Sequence, residues 1–134
     1  MENVTINHWA VFTAALSMFF IGGIWYSPTL FGNKWLKAIG RNVDFLQTGN
    51  KAKIFGGSFL LALVSAYTLA GFVSGYQDWQ WGLIGGLLVG FGWLAPAFGI
   101  VYLFERKSFA HFAINAGYLV ISYVVMGLII GVWK

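Results

Sequence analysis

Apolar positions in this chain run in four long uncharged blocks, covering 2–34, 53–78, 78–105 and 107–134, with only short charged breaks between them. A helix needs about 20 apolar residues to cross a bilayer, and each block supplies them. The pattern predicts spans near 6–26, 54–73, 81–104 and 109–132. The expected fold is an all-α integral membrane four-helix bundle, with 1–134 forming a single transmembrane domain. The first block has no basic leading segment, and its apolar stretch from Trp9 to Tyr26 exceeds a signal-peptide core, so it reads as an uncleaved helix.

The longest break has a pattern of its own. Phe31, Trp35 and Ile39 recur at four-residue steps with Leu36 beside them, while Lys34, Lys37 and Arg41 take the other side of a helical wheel. Such a segment is a short amphipathic helix lying in the membrane surface, ended at Gly40. Pro28 has no N–H to donate and suits the exit from the first span.

Composition agrees with the periodicity. Apolar residues make up 59% and charged residues 9%, where a soluble domain has roughly 45–50% and about 25%. The net charge of +4 is a matter of placement. Lys34, Lys37, Arg41, Lys51 and Lys53 fall in the first break, and Arg106 and Lys107 in the third. Basic loops stay in the cytoplasm, so the expected topology has both of them inside and both ends outside, in a bacterial inner membrane. Membrane lipids are then the expected partners of the basic residues, and nucleic acid is not.

Glycine is abundant at 18 residues, and Gly82, Gly86 and Gly90 repeat every fourth position of the third span. That spacing places them on one helix face, where absent side chains let another helix approach, in the same chain or in a second copy. Ser58, Ala62, Ala66 and Ala70 form a similar line in the second span. Pro96 removes the hydrogen bond to the Gly92 carbonyl and predicts a kink.

Candidate chemistry gathers on the fourth span. Glu105, Ser108, His111, Asn115, Tyr118 and Ser122 fall within roughly 140° of arc. His111 and Asn115, one turn apart, can bond each other or a common partner. The polar face reads either as glue between helices or as a ligand or proton site opening towards the cytoplasm. With no cysteine, and with His8 and His111 at opposite ends of the bundle, no metal or cofactor is expected. No nucleophile elbow, zinc motif or phosphate loop is present, so enzyme activity is not expected.

Two segments carry a family likeness. Gly23-Ile24-Trp25-Tyr26-Ser27-Pro28-Thr29-Leu30-Phe31-Gly32, followed by Trp35, resembles the close of the first span in the domain-of-unknown-function 1761 family of small bacterial membrane proteins. Asn115-Ala116-Gly117-Tyr118, with Met126-Gly127 and Gly131-Val132-Trp133, is similar to that family's last span. The resemblance implies four spans and brings no activity with it. It singles out Tyr26, Ser27, Pro28, Asn115 and Tyr118. The expected role is that of a non-enzymatic membrane protein acting through helix packing, as a homo-oligomer or an accessory subunit of a larger membrane assembly. The alternative is a small-molecule or ion carrier using the polar face of the fourth span.

Overall fold

The computed structural model describes residues 5–76 and 78–133. Glu2, Gln77 and Lys134, at the edges of the apolar blocks and in the second break, lie outside them. Every regular element among the described residues is helical. The order is α1 (His8–Trp25), α2 (Gly32–Ala38), a 3-10 turn (Val43–Gln47), α3 (Lys51–Val73), α4 (Gln80–Val89), a π-helical turn (Gly90–Leu94), α5 (Ala95–Phe104) and α6 (Phe109–Val132). With α4, the π turn and α5 taken as one span, four helices are long and apolar enough to cross a membrane. The chain is a multi-pass membrane protein.

Side-chain caps fix three of the helix starts. Asn7 Oδ1 accepts from the Trp9 and Ala10 N–H groups, Asn50 Oδ1 from Lys53, and Ser108 Oγ from His111. Each satisfies N–H donors that the first helical turn leaves free. The Asn50 cap begins α3 at Lys51, slightly earlier than hydropathy alone predicts. At the other end of α2, Gly40 has φ +72°, with Gly40 N–H bonded to Lys37 O and Arg41 N–H to Leu36 O. This pair of bonds closes a helix through a left-handed residue. The α5–α6 turn has the same design, but its left-handed residue is Arg106 (φ 58°), with Lys107 N–H bonded to Tyr102 O.

The last helix is the hub. Its largest interface is with α4, the next is with α1, and α3, α5 and α2 also pack on it. In its most apolar window 39% of residues are buried, against 11% for the span made of α4 and α5. Asn7 Nδ2 donates to Trp133 O at one end of the α1–α6 pair, and Trp25 and Tyr26 meet Ile114 and Asn115 at the other, so the two helices are antiparallel. Val11, Ala14 and Ala15 of α1, Ala62, Ala66, Leu69, Ala70 and Val73 of α3, and Tyr123, Met126 and Ile130 of α6 form the core. The small-residue line of α3 therefore packs inward over Ala62, Ala66 and Ala70, whereas Ser58 is exposed.

The glycine stripe has its partner within the chain. A Cβ on Gly82 would overlap the Gly127 carbonyl, and one on Gly86 the Tyr123 carbonyl. One on Gly90 would lie 3.0 Å from Val120 Cα, and Gly131 packs on Trp79 and Gly82. The α4 and α6 backbones thus touch, which only glycine permits.

Pro96 sits in the first turn of α5, just after the π turn. There Ala95 N–H reaches back to Gly90 O, a five-residue step in place of the usual four. The expected kink therefore takes the form of a shift in hydrogen-bond register, which is one way a helix accommodates a proline. Downstream of it, α5 packs against α6 and makes no comparable contact with α1 or α3.

The amphipathic helix is present as α2, with Leu36 buried, Phe31, Trp35 and Ile39 half-buried, and Lys34 and Lys37 exposed. Its apolar side is turned onto the end of the bundle. Trp35 meets Tyr26 edge to face at 5.4 Å, and the helix packs on α6.

Candidate functional site

The chain between α1 and α2 is a tight turn that aims two aromatic rings at α6. Phe31 N–H bonds to Trp25 O, and Leu30 and Gly32 N–H both bond to Ser27 O. A Cβ on Gly32 would strike the Tyr26 and Ser27 backbone, so the glycine closing the motif is required by the turn itself. Pro28 is exposed at its tip, and Ser27 Oγ donates to Ile24 O. The motif residues Trp25, Tyr26, Ser27 and Pro28 thus divide the work, with Ser27 and Pro28 shaping the turn while Trp25 and Tyr26 reach inward.

Their targets lie on one stretch of α6. Trp25 Nε1–H donates to Ile114 O at 2.8 Å, and Tyr26 O–H donates to Asn115 Oδ1 at 2.6 Å. Asn115 Nδ2–H donates to the Tyr102 hydroxyl oxygen at 3.0 Å, so one amide joins α1, α5 and α6. Tyr118 O–H donates to the Met18 carbonyl at 2.9 Å, and its ring meets Tyr26 edge to face at 5.4 Å. Gly22 leaves room for Tyr118, since a Cβ there would lie 3.4 Å from its ring. Gly117 does the same for Trp25, at 2.8 Å.

His111 is buried one turn earlier, its ring 4.9 Å from that of Tyr102. His111 and Asn115 do not bond each other; Tyr102 is the partner they share. His111 Nδ1 and Ser122 Oγ are buried without a hydrogen-bond partner. From His111 to Ser122 the polar line covers roughly 16 Å of helix, about half the hydrocarbon thickness. The buried Met126 comes next, and the apolar core continues beyond it.

The polar face of the fourth span is thus split. His111, Asn115, Tyr118 and Ser122 come together inside the bundle, whereas Glu105 and Ser108 do not join them. Glu105 ends α5 at an exposed position, and Ser108 is the exposed cap of α6. Sequence reasoning missed Tyr102. Its signal was available, as it carries the one aliphatic or phenolic hydroxyl between Gln80 and Phe104. A second hydroxyl pair, Tyr123 O–H to Ser65 Oγ at 2.7 Å, ties α6 to α3.

The two histidines stand at opposite ends of the bundle. His8 Nδ1 lies 2.8 Å from the Tyr67 hydroxyl oxygen, near the end where Asn7 meets Trp133. Among the described residues no three His, Asp or Glu side chains converge to hold a metal ion. The cluster is a neutral hydrogen-bond network, able to hold three helices in register or to offer hydroxyl and amide groups to a neutral guest.

Four apolar spans tied by a half-buried tyrosine–asparagine clamp define a small polytopic α-helical membrane protein. The chain belongs to the family described as protein of unknown function (DUF1761), which it matches over residues 9–131. No curated protein and no solved structure gives a significant match.

Proposed function

We propose that the chain is a non-enzymatic protein of the bacterial cytoplasmic membrane that acts through contacts made within the bilayer, as a homo-oligomer or as a small accessory subunit of a larger membrane assembly. The observation that carries this reading is the state of Asn115. Both halves of its amide are bonded within the chain, to Tyr26 and Tyr102, as expected for helix glue. A chain with short loops and a largely apolar outer surface meets partners mainly through that surface. The glycine stripe is not part of this argument, because α6 covers it. Mass measurement of the complex purified in mild detergent, without crosslinking, tests the reading. A defined multimer or a stoichiometric second protein is expected, and a monomer carrying no other protein would refute it.

A carrier reading draws support from the two buried groups without partners, His111 Nδ1 and Ser122 Oγ. Buried polar atoms in a membrane are costly unless paired, and a transported proton or solute would pair them. Flux through purified protein in vesicles, abolished by Asn115→Leu at unchanged folding, would replace the first reading with this one.

Orientation belongs to the same proposal: both basic loops in the cytoplasm and both ends outside.

A further inference from the structure

Between α3 and α4 the bundle is loosely closed, and a groove opens at its side. Its larger part encloses about 410 Å³, with walls formed by Phe72, Val73, Tyr76, Trp81, Leu88 and Trp93. A second part of about 200 Å³ continues past Trp93 to the Ser65–Tyr123 pair. We propose that this groove is a lipid site, holding one hydrocarbon tail of a phospholipid from the leaflet at the Tyr76–Trp81 end.

Size selects the occupant. A single alkyl chain is slim enough. From Trp81 to Trp93 the groove follows roughly 18 Å of helix, close to the ~15 Å depth of one leaflet. Chemistry agrees with size. Ser65 Oγ already accepts from Tyr123, and Thr68 Oγ1 donates to Val64 O, so the hydroxyls towards the inner end of the groove have partners within the protein. At the mouth, Tyr76 and Trp81 stack with ring centres 5.1 Å apart. Amphipathic rings of this kind sit at headgroup level, where a lipid tail begins. Gly92 lines the groove, and a Cβ there would meet nothing within 4 Å, so a larger side chain can enter the groove without first striking the protein.

Native mass spectrometry of the full chain released from mild detergent tests the site, with Gly92→Leu and Gly71→Leu beside the parent. Gly71 also has open space around its Cβ position but does not line the groove, so it controls for added bulk. The parent and Gly71→Leu are expected to retain one phospholipid per chain. In Gly92→Leu retention should fall about tenfold, the loss expected when a few methylene contacts are removed. Should Gly92→Leu fail to fold, Leu88→Trp narrows the same groove from its exposed rim and is expected to give the same loss. A parent without lipid overturns the site, as does equal retention in the groove variants. A second copy of the chain, bound to the parent and lost from Gly92→Leu with no lipid involved, also overturns it.

Discussion

Asn115 shows how much one side chain can organise. Its carbonyl accepts from Tyr26 and its amide donates to Tyr102, so removing it releases both hydroxyls at once. At about 0.6 kcal/mol for a side-chain hydrogen bond in a membrane bundle, Asn115→Leu should destabilise by about 1 kcal/mol. Tyr26→Phe and Tyr102→Phe should each cost about half of that. Thermal or denaturant unfolding in detergent checks the ratio, and a loss from either phenylalanine variant equal to that of Asn115→Leu would mean that the network does not share its load this way. Asn115, His111, Tyr118 and Ser122 were legible in the sequence because a polar residue in an apolar helix stands out. Glu105 and Ser108 share their helical phase but sit at the α5–α6 turn, where phase says nothing about burial. Tyr102 was passed over, although its hydroxyl is visible in the sequence, because a lone tyrosine near a helix end looks like an interface aromatic. The acceptors Met18 O and Ile114 O had no signal at all, since backbone carbonyls are the same at every position.

Among the elements, the spans were the most legible, because hydropathy and charge mark their ends directly. Phe109–Val132 falls where the pattern placed it, and the other ends moved only as far as caps such as Asn50 allow. What the pattern left open was which helix the glycines of α4 would meet. Spacing fixes a face, but only packing supplies its partner, here α6. This contact makes a prediction of opposite signs. Gly86→Ala adds a methyl group where the Tyr123 carbonyl already lies and should destabilise by about 1–3 kcal/mol. Gly71→Ala adds the same group in open space and should stabilise by up to about 1 kcal/mol through helix propensity. Midpoints of thermal unfolding measured side by side decide it, and equal shifts would place the stripe against lipid. Pro96 announced a kink but not its form, because the register shift depends on what the freed carbonyls find nearby.

For the whole molecule, the sequence revealed a four-span chain and a surface helix between the first two spans, but not the central place of α6. Its polar face set it apart in the sequence, but centrality comes from the neighbours it gathers. Topology can be tested on the cysteine-free background. Gln47→Cys and Asp78→Cys each place one thiol at an exposed loop position, on opposite sides of the bilayer. An impermeant thiol reagent applied to intact cells is expected to label Asp78→Cys alone, and labelling of Gln47→Cys alone would invert the arrangement. The central helix also has a consequence for biogenesis. Because α6 follows its main partners in the chain, an emerging polypeptide can pair α1 with α3 and α3 with α4 but must hold the contacts made to α6 in waiting. Until Phe109–Val132 is translated, the Tyr26 and Tyr102 hydroxyls have no amide between them, and the glycine face of α4 is bare to lipid. Assembly of these four spans therefore waits on a late keystone, and a nascent chain halted before it carries these unmet groups in the membrane.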